Sequence, residues 1–163
     1  MILLSSTWFV HPDSALKRVL SDVERVETVK VKVDDRVKRV LKKHRLPMPS
    51  RKVLIFYRGY RGDTLIKTAL VDDIKGKHLP ITFMVVISPE GRVMEVEILA
   101  YREEYGYQIG NRRFLKNFRG KGADDPIKPG KDVPNIAGAT ISVRSISLGV
   151  KRALIIYREV FGR

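Results

Sequence analysis

Residues 80–101 read Pro80-Ile81-Thr82-Phe83-Met84-Val85-Val86-Ile87-Ser88-Pro89-Glu90-Gly91-Arg92-Val93-Met94-Glu95-Val96-Glu97-Ile98-Leu99-Ala100-Tyr101. Ile81 to Ile87 forms one strand and Val93 to Tyr101 a second, because Ser88-Pro89-Glu90-Gly91 has proline second and glycine fourth, as a type I turn prefers. In the second strand Met94, Val96, Ile98 and Ala100 alternate with Glu95 and Glu97, which predicts one buried face. Strands joined by so short a turn run antiparallel. A sheet of this kind needs apolar cover, and the rest of the chain supplies helices for it.

Upstream, Pro12 and Asp13 open a short helix whose stripe is Ala15, Leu16, Val19 and Leu20. Val29, Val31 and Val33 alternate with Lys30 and Lys32 as a half-buried strand, and Asp34 or Asp35 caps a following helix. Leu46-Pro47-Met48-Pro49 stops that helix, since the residue before a proline is pushed out of the helical region. Val53 to Tyr57, a turn at Gly59 to Asp63, and Leu65 to Val71 predict a hairpin, and Asp72, Asp73, Lys75, Gly76 and Lys77 a polar break after it. Downstream, 109–119 suits a short helix and 121–136 a long loop. Val143, Ile146, Val150, Ala153, Leu154, Tyr157 and Phe161 mark a long amphipathic C-terminal helix. The predicted fold class is α+β: a twisted antiparallel sheet packed by helices, the last of them long.

The chain has 163 residues, 44% of them hydrophobic, which is enough to bury a core as one domain. The expected division is an N-terminal helix, strand and hairpin part over 1–75 and a second part over 76–163. With no cysteine, disulfides, thiolate nucleophiles and cysteine-ligated metal sites are excluded. No stretch reaches the length of about 20 apolar residues that spans a bilayer. Residues 1–10 are apolar but lack the basic region and cleavage site of an export signal, and read as a first short strand or docked arm, with the remnant of a shortened export signal as the alternative.

Lys and Arg number 32 against 18 Asp and Glu, a net charge of +14 that implies a partner with negative charge. Residues 1–75 hold 17 basic and 9 acidic side chains and the rest 15 and 9, so the excess is spread along the chain. The densest run, Arg36 to Arg45, is interleaved with Val37, Val40 and Leu41 at helical spacing. Its charges therefore fall either on a plain solvated face or on a nucleic-acid contact. No aromatic RNA-recognition signature, finger or basic zipper accompanies it, so nucleic acid is not the expected partner.

The most specific segment is Gly130-Lys131-Asp132-Val133-Pro134-Asn135-Ile136-Ala137-Gly138-Ala139-Thr140-Ile141-Ser142. A loop delivers small residues to a helix start, where free N–H groups and the helix dipole suit a phosphate. Equally, Thr140 or Ser142 reads as an ordinary N-cap.

Together with the strand pair and the turn Arg102-Glu103-Glu104-Tyr105-Gly106, this segment resembles the FMN-binding domain of the flavin subunits of sodium-pumping NADH:quinone reductase and Rnf-type electron-transport complexes. The resemblance covers 76–157, about half of the chain, and the segment from Pro12 to Val71 looks like what precedes the domain in stand-alone members. It implies FMN joined through its phosphate to Thr140 by a flavin transferase, with Ile136, Gly138, Ala139, Ser142 and Lys131 around it. The ring would lie against the turn holding Glu103, Tyr105 and Gly106. The family pattern Asp-x-x-Ser/Thr-Gly-Ala-Thr departs here at Pro134 and Ala137, with the nearest acid at Asp132. Glu104 and Tyr105 replace a Thr-Pro pair; Tyr105 is either a stacking partner for the ring or a plain core or surface aromatic.

The resemblance further implies an electron carrier rather than an enzyme with its own substrate, working with an acidic redox partner or a membrane electron-transport complex on the extracytoplasmic face. A basic nucleic-acid-binding domain and a flavin-free interaction module with the same fold are the alternatives. No metal site is expected, and His11, His44 and His78 read as surface residues.

Overall fold

A computed structural model describes residues 7, 8 and 10–162; the remainder of the apolar start and Arg163 lie outside the described residues. Among the described residues, six strands form one antiparallel sheet: β1 (Thr7–Trp8), β2 (Arg25–Lys32), β3 (Val53–Arg61), β4 (Thr64–Lys75), β5 (Pro80–Ile87) and β6 (Val93–Tyr101). Their order across the sheet is β1-β6-β5-β4-β3-β2. The α-helices that accompany them are α1 (Pro12–Val19), α2 (Asp35–Lys43), α3 (Arg112–Leu115) and α4 (Thr140–Phe161).

β5 lies near the middle of the sheet with both faces covered, and for that reason it is a continuous apolar run instead of an alternating one. Phe83, Val85 and Ile87 join the large core under α2 and α4, while Met84 and Val86 join a smaller core with Ala15 and Val19 of α1 on the other face. The sheet is thus the middle of three layers. β6 alternates less cleanly than its sequence suggests: Val96, Ile98 and Ala100 are buried, but Met94 is exposed. A register shift at Val86/Ile87 lies beside the start of β6 and breaks the strict period of two there.

Three further expectations are corrected. Asp72 and Asp73 do not break the chain; they continue β4 to Lys75, opposite Phe83 and Thr82. In place of a helix over 109–119 the chain makes a 3-10 turn (Tyr107–Gly110), the single-turn α3 and a second 3-10 turn (Lys116–Phe118), which bury Ile109, Phe114, Leu115 and Phe118. On α1, only Ala15 and Val19 are fully buried; Leu16 and Leu20 are half-buried at its margin.

What keeps Asp72 inside the sheet is Arg152 of α4. Both side chains are 1% exposed, and Arg152 Nη2 donates to Asp72 Oδ2 at 2.8 Å and to the Asp73 carbonyl at 2.6 Å. Burial pushes the Asp72 carboxyl above its ordinary range, and the Arg152 guanidinium opposes that only in part. The pair locks α4 to β4 and so fixes where the N-terminus of α4 emerges.

The basic helix α2 has the orientation of a solvated face. Val37 and Leu41 are buried and Val40 is half-buried, while Lys38, Arg39, Lys42 and Lys43 face water. Asp34 caps it by accepting from the Val37 N–H at 3.0 Å.

Candidate functional site

The loop after β6 and the first turn of α4 meet to form a cleft of about 540 Å³. Its walls come from Lys77 and His78 before β5, from Tyr101 at the end of β6 and Glu103 to Gly106 after it, and from Gly138 to Ser142 at the start of α4. Three loops distant in sequence are brought together because β4, β5 and β6 are neighbours and α4 packs on β4 and β5.

Hydrogen bonds fix the walls to one another. The Ser142 and Tyr101 hydroxyls lie 2.6 Å apart, and the Tyr101 hydroxyl donates to the Tyr105 carbonyl. Ser142 then donates to Tyr101, since a phenol carries one proton. Burial raises the Tyr101 phenol above its ordinary range, with Glu103 adding to the effect and Ser142 opposing it.

Gly106 has φ +89°, and a Cβ there would sit 2.4 Å from both the Ser142 and the Tyr101 hydroxyl oxygens. Glycine is thus required twice over, for backbone conformation and for close approach. On the opposite side the Glu103 carboxylate accepts from the Lys77 N–H at 2.7 Å and the His78 N–H at 3.2 Å. Gly76 makes room for it: a Cβ at that position would lie 2.3 Å from Glu103 Oε1.

At the helix start, Gly138 turns the chain with φ +80° and Ala139 is the N-cap residue. No side chain among the described residues caps α4, so neither Thr140 nor Ser142 serves as an N-cap. Thr140 is exposed as the first helical residue, where the first-turn N–H groups lack intrahelical acceptors. The Ser142 hydroxyl, by contrast, is buried and committed to Tyr101.

Seven residues singled out in the sequence line this cleft: Glu103, Tyr105, Gly106, Gly138, Ala139, Thr140 and Ser142. Ile136 and Lys131 do not. Ile136 packs against the main core, and Lys131 sits exposed in the turn over 128–131. Asp132 is likewise engaged elsewhere, its carboxylate accepting from the Ile127 and Lys128 N–H groups at 3.0 and 2.9 Å. Tyr105 is 76% exposed at the rim, so it is not a core aromatic.

The sequence reading missed Lys77, His78 and Tyr101, while Glu104 and Ile141 lie inside the turn and helix start it picked out without being named as site residues. His78 looks like any surface histidine until the β4–β5 connection is placed beside the β6 loop. No cluster of metal-ligating side chains occurs among the described residues.

A flavin phosphate fits this arrangement. The volume lies within the range of about 300–1,000 Å³ of organic-ligand sites. An exposed hydroxyl stands at an uncapped helix N-terminus, and the Gly106 cradle lets the facing loop close on it.

Comparison with known proteins agrees. Residues 76–155 match the FMN-binding domain family. The chain is 28% identical over 108 residues to the G subunit of the proton-translocating ferredoxin:NAD(+) oxidoreductase complex of Clostridium ljungdahlii, covering 61% of this chain and 57% of that one. It is 31% identical over 109 residues to the G subunit of the ion-translocating oxidoreductase complex of Stutzerimonas stutzeri, covering 60% and 48%. The chain therefore spans about half the length of these relatives.

Among solved structures, NqrC of Shewanella oneidensis superposes with a TM-score of 0.60 at 13% identity, over 89% of this chain and 85% of that one. The C subunit of the Na(+)-translocating NADH-quinone reductase of Parabacteroides distasonis gives 0.60 at 15% identity, over 94% and 85%. At such identities the likeness is one of fold. With the sequence match over 76–155, the cleft and the helix start that bears Thr140 lie in a segment that belongs to the FMN-binding domain family.

Proposed function

We propose that this chain carries FMN as a phosphoester on Thr140 and relays electrons between redox proteins as part of a membrane electron-transport complex. The observation that carries the reading is the position of Thr140: exposed, first in a 22-residue helix, without a side-chain cap, and in the wall of a cleft of about 540 Å³. Attachment would form a Thr140 Oγ–P bond to an activated flavin phosphate brought by a flavin transferase, as the bond from that phosphorus to its leaving group breaks and the leaving group departs with the hydroxyl proton.

The chain's own residues supply binding and orientation. N–H groups of the first turn of α4 and the helix dipole stabilise the phosphodiester anion. The Ser142-Tyr101-Tyr105 hydrogen bonds hold the facing loop at a fixed distance. FMN, when bound, provides the electron-accepting and electron-donating ring; the protein sets its surroundings.

The test is intact mass with a visible spectrum after co-expression with a flavin transferase. The expected product is yellow, keeps its colour on denaturation, and is heavier by one FMN less one water; Thr140→Ala loses both signals. A colourless wild-type product without the mass increment overturns covalent attachment. Colour that is released on denaturation restricts the reading to non-covalent FMN.

A further inference from the structure

Resting on the FMN reading above, we infer that Lys77 and Glu104 set the redox potential of the bound flavin in opposite directions, as an electrostatic pair built into this cleft. Both side chains line it together with Thr140. The ionisable side chains in the wall are Lys77, His78, Tyr101, Glu103, Glu104 and Tyr105.

Their circumstances differ. Tyr101 is hydrogen-bonded to Ser142 and to the Tyr105 carbonyl, and Tyr105 stands at the exposed rim. Glu103 spends its carboxylate on the Lys77 and His78 N–H groups. It is a positioning residue: its hydrogen bonds hold the segment that carries Lys77 against the β6 loop, in the space Gly76 leaves open.

That use of Glu103 has an electrostatic consequence. The Lys77 ammonium makes no ion pair among the described residues, although two carboxylates share its cleft, and the Glu104 carboxylate is likewise unpaired. Lys77 and Glu104 are exposed and keep their charges available to whatever occupies the cleft. A ring that gains electrons gains negative charge, so a nearby ammonium favours the reduced form and a nearby carboxylate the oxidised form. Lys77 accordingly raises the potential and Glu104 lowers it.

The test compares the midpoint potentials of the FMN-loaded wild type, Lys77→Met and Glu104→Gln, each also followed by mass and visible spectrum. Lys77→Met is expected to shift the potential negative and Glu104→Gln positive, each read on the FMN-loaded protein. The gap between the two variants should close by more than half between low salt and ~1 M salt, where the screening length falls to about 3 Å. Lys77→Arg should restore the wild-type value.

Shifts of the same sign, or potentials equal to wild type in proteins that do carry FMN, overturn the electrostatic pair while leaving the flavin assignment standing. A wild-type protein that takes up no FMN overturns both.

Discussion

The hydroxyls of Tyr101 and Ser142 meet at 2.6 Å across 41 residues of chain, and join the end of β6 to the first turn of α4. Removing either hydroxyl leaves the other buried with one partner fewer, at a cost of about 1–3 kcal/mol. Tyr101→Phe and Ser142→Ala should each lower stability by that amount in urea denaturation. The double variant should lose less than the sum, since the two residues share one interaction.

The same phenol predicts an alkaline limit. Its folded-state value lies above the ordinary one, chiefly through burial, so the unfolded chain loses the proton first as pH rises. The contribution is complete below about pH 10 and declines as pH climbs from there through the folded value. Thermal melts between neutral pH and pH 11 should fall more steeply for wild type than for Tyr101→Phe.

At the acid end the corresponding group is Asp132. Burial works against its ionisation, but the Lys128 and Ile127 N–H groups and the Lys121 ammonium outweigh it and hold the carboxyl below its ordinary 3.8. Its contribution is therefore present above about pH 4 and is lost as pH falls through the lower folded value. In acid titration followed by circular dichroism, Asp132→Asn should start less stable at neutral pH and show a shallower loss below pH 4.

Gly106 admits no side chain. Its φ of +89° costs an alanine about 1–2 kcal/mol. The added Cβ must also displace both hydroxyls of the Tyr101-Ser142 junction. Gly106→Ala should thus destabilise by more than either hydroxyl deletion alone and, in co-expression with a flavin transferase, lower FMN incorporation. A variant as stable as wild type would show that the loop relaxes away from α4 without cost.

Arg152 and Asp72 form a buried ionic cross-link between α4 and the sheet. Arg152→Met strands a buried carboxylate, and Asp72→Leu strands a buried guanidinium; each should cost about 3–5 kcal/mol. The double variant should recover a large part of that loss, because no unpaired charge remains. Denaturant midpoints of the three variants measure this directly. A double variant as unstable as the worse single one would place the cost in the Pro47, Met48 and Asp73 carbonyls, which Arg152 also serves.

Local chemistry alone determined much of this protein. Pro89 and Gly91 define the β5–β6 turn, the doubly covered β5 reads as an apolar run, and the small residues before Thr140 mark the start of α4. Each of these depends on neighbours a few residues apart, and so is written in the order of residues. What tertiary structure decided depends on partners far along the chain. Asp72 and Asp73 look like a loop because paired acids avoid strand interiors; β4 continues through them because Arg152, 80 residues later, meets the Asp72 carboxylate while Arg51 and Thr82 meet that of Asp73. The cleft follows the same rule. Thr140 was legible from its own segment, whereas Lys77, His78 and Tyr101 became part of the site only when β4, β5 and β6 lay side by side beneath α4, since no local preference encodes which loops a sheet brings together.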